Sequence, residues 1–138
     1  GAFGILPIQS KSMEVILDIF SPANYAEFER VLKAEGVIIK VVPTSSHLKE
    51  IRQLAQEQLT KQSYSNQEIL VHFEDHCQIL SSETVSLTKS LTPEERQALL
   101  AMTPLLFHVD QEKIDWTQLT EITIEAQILV GKIKIQRT

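Results

Sequence analysis

Glu14-Val15-Ile16-Leu17-Asp18-Ile19-Phe20, followed by Ser21-Pro22, a segment from Tyr25 to Gly36, and Val37-Ile38-Ile39-Lys40-Val41-Val42, is the stretch whose reading decides the fold. Both outer segments are rich in β-branched and aromatic residues, which suit a pleated surface, and read as strands. Between them Ser21 stands where a helix cap belongs and Pro22 at a first helical position. Tyr25, Phe28, Val31 or Leu32, and Glu35 recur at helical spacing, and Gly36 is a C-terminal stop signal. A strand-helix-strand unit lays its two strands parallel with a right-handed crossover.

Working outward, Pro43-Thr44-Ser45-Ser46 is a turn able to cap a second helix, with Leu48, Ile51, Leu54, Ala55 and Leu59 as its apolar stripe. Gln62 to Gln67 reads as a polar loop. Glu68 to Phe73, Gln78 to Leu80 and Thr84 to Leu87 read as strands, with Glu74-Asp75 as an acidic turn. Thr92-Pro93-Glu94-Glu95 has the pattern of a capping box and predicts a helix through Leu99, Leu100 and Met102, ended by Pro104. Leu105 to Val109 reads as a strand and Asp115 to Leu119 as one helical turn. Glu121 to Ile128 and Lys132 to Gln136 alternate as half-buried strands do, with Gly131 between them. The sum is an α+β fold: a single domain over residues 13–138, with a mixed sheet and about three helices. A ferredoxin-like α/β sandwich is the competing topology. Residues 1–12 read as a disordered arm or vector remnant.

Composition sets the outer bounds. With 138 residues, 43% of them hydrophobic, the chain can bury a core without disulfides or a metal. The net charge of −5 argues against a surface that attracts phosphate backbones everywhere, though a local basic patch remains open. No apolar run approaches the roughly 18 residues of a membrane span. The start has no basic residue before its apolar part, unlike a signal peptide. The single cysteine, Cys77, excludes an intrachain disulfide. These features point to the cytoplasm.

The densest chemistry lies in His72-Phe73-Glu74-Asp75-His76-Cys77. Imidazole and thiolate ligate zinc or iron, so His72, His76 and Cys77 form a candidate metal site, with His47 or His108 as further ligands. The cluster lacks H-E-x-x-H spacing and no C-x-x-C accompanies it, so a polar hairpin turn with a half-buried thiol is the plainer reading. Cys77 as a nucleophile would take His72, His76 or His108 as base, but no Lys or Arg in the five residues before it favours thiolate. No G-x-S-x-G elbow is present. Four glycines, at positions 1, 4, 36 and 131, form neither a P-loop nor a G-x-G-x-x-G turn. The turn before the second helix could hold an anion on its N–H groups, but ordinary capping by Thr or Ser explains it. Lys132 and Lys134 share a strand face near Arg137, and would either guard an edge strand or dock an acidic partner. Trp116, in a polar setting, is an interface anchor or the plug of a small core. The residues call for no cofactor.

Two stretches carry a family resemblance. Val41-Val42-Pro43-Thr44-Ser45-Ser46-His47-Leu48 is an apolar strand ending in a proline-threonine turn before a helix. Leu91-Thr92-Pro93-Glu94-Glu95-Arg96-Gln97-Ala98-Leu99-Leu100 opens a helix and leads to Leu106-Phe107-His108-Val109, with Gln111 to Leu119 after it. Together, over some 40 residues, they resemble the fasciclin-type domain. The stretch between the pieces is longer than in that family, and the strands after His108 are fewer, so the chain would be a reduced member. The resemblance implies a non-catalytic protein-interaction module, not an enzyme. Compact soluble forms are similar to the CupS subunits of the cyanobacterial NAD(P)H dehydrogenase complex, which serves CO2 uptake in photosynthesis at the thylakoid. It therefore implies an accessory subunit whose partner is a larger, membrane-bound protein complex, with no nucleic acid and no direct membrane insertion. The chain would sit peripherally on the cytoplasmic side and bind through Trp116, Lys132 and Lys134.

Overall fold

The computed structural model describes residues 5–59 and 66–134. Its elements are β1 (Met13–Ile19), α1 (Tyr25–Val31), β2 (Leu32–Pro43), α2 (Lys49–Leu54), α3 (Gln67–His76), β3 (Cys77–Ser90), α4 (Pro93–Met102) and β4 (Glu121–Ile133). The four strands form one mixed sheet in the order β1-β2-β4-β3. With four α-helices among the described residues, this is an α+β fold. The described residues gather into two compact units: one from the stretches 1–43, 65–85 and 126–138, the other from 44–64 and 86–125.

In the first unit the strand-helix-strand reading holds. β1 and β2 pair in parallel from Val15↔Val37 to Ile19↔Val41. β4 runs antiparallel along β2, from Ile38↔Gly131 to Pro43↔Ala126. The helix signals are displaced, however. Asn24 is the cap, its side chain accepting from the Glu27 N–H at 3.2 Å, and Ser21 is not. The helix stops at Val31, and Leu32 is already extended. Gly36 lies inside β2, where a Cβ would stand 2.7 Å from Leu32 Cδ2. It is a close-approach glycine rather than a helix stop. Leu6, Lys11 and Ser12 hydrogen-bond to Glu27, Arg30 and Val31 of α1.

Glu68 to Phe73 is helical, not a strand. Leu70, Phe73 and Cys77 stand at i, i+3 and i+7 and bring Phe73 and Cys77 into the core, while Val71 is exposed. A short apolar run fits both periods, and burial selects between them. The core of this unit is Tyr25, Phe28, Leu32, Ile38, Phe73, Cys77 and Leu129. The alternate residues of β1, Val15, Leu17 and Ile19, are exposed.

In the second unit Ile51, Ala55, Leu100, Leu106, Leu119 and Ile122 form the core. The capping box at α4 is complete: Thr92 Oγ1 accepts from the Glu95 N–H at 3.1 Å, and Glu95 Oε1 accepts from the Thr92 N–H at 3.0 Å. Lys89 adds an ion pair to Glu95 at 2.5 Å. The Lys89 contact first, then the Thr92 N–H, holds the Glu95 carboxyl down to about 2. Its stabilising effect is therefore present above the ordinary carboxylate range and lost as pH falls toward about 2. Leu105 to Val109 is not a strand. Pro104–Leu106 is a 3-10 turn, with Phe107 N–H donating to Pro104 O. Trp116–Gln118 is the single helical turn that the sequence predicts. Gln78 to Leu80 and Thr84 to Leu87 belong to one strand, β3, and β4 runs on through Gly131. Gln62 to Ser65 and Ile135-Gln136 lie outside the described residues. Among the described residues no helix is long and apolar enough to cross a membrane.

Gly131 is where α3 presses hardest on the sheet. A Cβ there would stand 2.7 Å from Phe73 Cζ, 2.9 Å from Cε1 and 3.0 Å from Cys77 Cβ. Gly131→Ala is expected to lower stability by about 1–3 kcal/mol, as overpacking does. Urea denaturation would show a lower midpoint at unchanged slope, partly restored by adding Phe73→Leu. An unchanged midpoint would mean that Phe73 is not seated on Gly131.

Candidate functional site

Each strand of the parallel pair carries one buried charged residue, flanked on both sides by apolar ones. Asp18 and Lys40 are register partners, and both are 3% exposed. Lys40 Nζ donates to Asp18 Oδ2 at 2.7 Å and to the Ser21 carbonyl at 3.0 Å. The Ser21 hydroxyl donates to the other carboxylate oxygen, Asp18 Oδ1. Both oxygens are thus engaged, so Asp18 is not poised to take a proton from an incoming molecule. The pair instead fixes the turn that leaves β1.

Phe20 lies in that turn at φ 53°, the left-handed region that a phenylalanine rarely adopts. Such a backbone costs about 1–2 kcal/mol. Its N–H donates to Val41 O at 2.9 Å, and the residue as a whole is 50% exposed. Open α/β sheets bind ligands at the carboxyl ends of their parallel strands, and this turn stands at such an end. The candidate site is therefore Phe20 and Ser21, held by Asp18 and Lys40. The sequence reading missed all four. Their signal was a charge flanked by apolar residues in each strand, which demands a partner once buried.

A second polar cluster lies in the other unit. Glu50 accepts from the Thr123 N–H at 2.9 Å and from its hydroxyl at 2.5 Å. Burial pushes the Glu50 carboxyl up, but these bonds outweigh it and leave it below its ordinary value. His47 Nδ1 accepts from the Glu125 N–H at 3.2 Å, so the proton of the neutral ring sits on Nε2. Burial, then the Arg52 charge, lowers the His47 pKa. Thr44 Oγ1 donates to Glu125 Oε1 at 2.6 Å and accepts from the Ser46 N–H. The turn weighed as an anion site is thus engaged by the protein's own carboxylate.

The residues singled out from sequence fall as follows. His72 and His76 are one turn apart on α3, ring centroids 4.8 Å apart, and His76 stacks on Tyr25 at 4.4 Å. Cys77 begins β3, buried, and burial pushes its thiol up to about 11. Among the described residues no three His, Cys, Asp or Glu side chains form a group that could hold a metal ion, His72, His76 and Cys77 included. His108 is exposed. Trp116 packs against the second unit's core, its Nε1 buried without a partner. Lys132 pairs with Glu35 at 2.6 Å, and exposed Lys134 donates its backbone N–H to the His76 carbonyl.

No family model matches the chain. It is 34% identical over 128 residues to the "Putative 23S rRNA (guanine-N(1)-)-methyltransferase YxjB" of Bacillus subtilis (strain 168), covering 91% of this chain and 45% of that protein. It is 24% identical over 109 residues to the 23S rRNA (guanine(748)-N(1))-methyltransferase of Streptomyces fradiae, covering 79% and 39%. The chain spans less than half the length of the curated relatives it matches. The crystal structure of MccD protein shares its fold, with a TM-score of 0.52 at 12% identity, over 94% of this chain and 64% of that one.

These findings overturn the fasciclin-like and CupS resemblance. Its two stretches are a strand-turn-helix and a proline-capped helix, devices common to many α/β chains, and the second leads into a 3-10 turn instead of a strand. The reading as a non-catalytic accessory subunit of an NAD(P)H dehydrogenase complex in CO2 uptake falls with it, as do the thylakoid and membrane-complex placement. The relatives are named as methyltransferases, which overturns the expectation that the chain is no enzyme. They are named for 23S rRNA, which overturns the expectation of a protein partner and no nucleic acid.

The buried pair has a sharp energetic signature. Lys40→Met strands a buried carboxylate and is expected to cost about 3–5 kcal/mol. Asp18→Asn with Lys40→Met removes both charges and should recover most of that loss in chemical denaturation. Equal losses in the single and double variants would show that the charges are not paired.

Proposed function

We propose that this chain forms part of an enzyme that methylates N1 of a guanine in 23S rRNA. The observation that carries this is the 34% identity over 128 residues, spread across nine-tenths of the chain, to a relative of that name. The parallel strand end is consistent with it, since such ends are where α/β sheets hold ligands.

The chemistry sets the demands. Guanine N1 carries a proton at neutral pH and lies in the middle of the Watson–Crick edge. Methylation there requires a base that is out of its pair, the loss of the N1 proton, and tolerance of the negative charge that spreads to O6. Asp18, fully engaged by Lys40 and Ser21, organises the strand end and takes no proton. The glycines among the described residues, Gly36 and Gly131, are packed in strands and form no cradle for a methyl donor. The acidic net charge does not oppose an RNA substrate. Phosphate contacts depend on local charge, and the chain spans less than half of its relatives' length.

The complete protein, incubated with an unmodified 23S rRNA transcript and a labelled methyl donor, is expected to label the RNA. Methylation at N1 blocks Watson–Crick pairing, so reverse transcription should then stop next to one guanine. Absence of label, or label without a stop at a guanine, contradicts the proposal.

A further inference from the structure

We propose that the buried Asp18–Lys40 pair is a positioning device for the methyl-transfer step, and that its role is to fix the turn after β1 rather than to stabilise the sheet. The inference rests on the methyltransferase reading above and deepens it. An ion pair taken out of water is a poor source of stability, since apolar side chains of similar volume fill the same space without the desolvation cost. The register pairs on either side, Leu17 with Ile39 and Ile19 with Val41, are apolar. An apolar pair between them would complete the strands, but it could not reach past them. Asp18 and Lys40 do so: Lys40 Nζ donates to the Ser21 carbonyl at 3.0 Å, and the Ser21 hydroxyl donates to Asp18 Oδ1. Ser21 is an exposed residue whose polar groups water could serve, so what these bonds add there is a fixed place. Between Asp18 and Ser21 the backbone at Phe20 is held at φ 53°, with the Phe20 N–H on Val41 O. Strained backbone of this kind persists only where its surroundings over-determine it.

Reaction chemistry gives that fixed place a use. Methyl transfer needs guanine N1 in line with the bond that the methyl group leaves, and a misplacement of about 1 Å costs on the order of a hundredfold in rate. The turn stands at the carboxyl end of the parallel pair, where α/β sheets hold ligands. Asp18 and Lys40 act through Ser21 on the placement of the bound base and take no part in proton transfer.

The test uses the complete protein and an RNA hairpin carrying the mapped guanine, and reads kcat, KM for the hairpin and melting temperature. Asp18→Leu with Lys40→Met replaces the ion pair by an apolar one. This double variant is expected to melt no lower than the wild type. It should keep KM within about twofold and lose roughly tenfold or more in kcat. Ser21→Ala removes only the hydroxyl of an exposed residue, and should melt as the wild type while losing kcat severalfold. Ser21→Thr, which keeps the hydroxyl, should retain the wild-type kcat. A well-folded double variant with wild-type kcat overturns the proposal, as does one whose loss lies in KM alone. Where the double variant folds poorly, the serine variants decide: an unchanged kcat in Ser21→Ala overturns the proposal, and a loss that Ser21→Thr does not share supports it. A wild-type protein that methylates no guanine in the hairpin overturns the methyltransferase reading, and this proposal with it.

Discussion

A lysine and an aspartate buried on facing positions of two parallel strands set the terms for everything near the candidate site. Two charges removed from water are costly singly, and the cost falls only when each satisfies the other. Lys40 and Asp18 do so at 2.7 Å, and their remaining bonds go to the carbonyl and hydroxyl of Ser21. Three residues from two strands and one turn are thereby bound into a single arrangement. The strained Phe20 sits inside that turn. A strand end free to relax would release Phe20 to an ordinary backbone conformation and turn its ring elsewhere.

Apolar packing supplies the rest. α1 and α3 cover Ile38 and Leu129, and Gly131 admits the Phe73 ring to the sheet. The other unit closes around Ile51, Leu100 and Leu119, with the Thr92 capping box fixing where α4 begins.

The strand-helix-strand start was legible in the sequence because strand composition and helical spacing agreed there, although both helix-end signals, Ser21 and Gly36, were displaced. The α4 cap was legible for the same reason: it is a local device, satisfied within four residues. Glu68 to Phe73 was misread because six residues, four of them apolar, fit either period, and only Phe73 seating on Gly131, far along the chain, selects the helix. Leu105 to Val109 was misread because composition alone spoke for a strand, whereas Pro104 starts a 3-10 turn. The site was the least legible part. Histidines and a cysteine drew the eye to α3, where His76 stacks on Tyr25 and Cys77 is a buried thiol. The informative residues were Asp18 and Lys40, each a charge flanked on both sides by apolar residues. Their partnership depends on strand register, which a single sequence does not display.

The proposed function implies that a guanine of 23S rRNA is engaged at the carboxyl end of β1 and β2. Photo-crosslinking tests it most directly: the complete protein is irradiated with RNA carrying 6-thioguanosine at the target position, and the linked peptide is identified by mass spectrometry. The account predicts a crosslink within the segment from Asp18 to Asn24, which contains Phe20. Crosslinks confined to α3 or β3, with none in that segment, would contradict it.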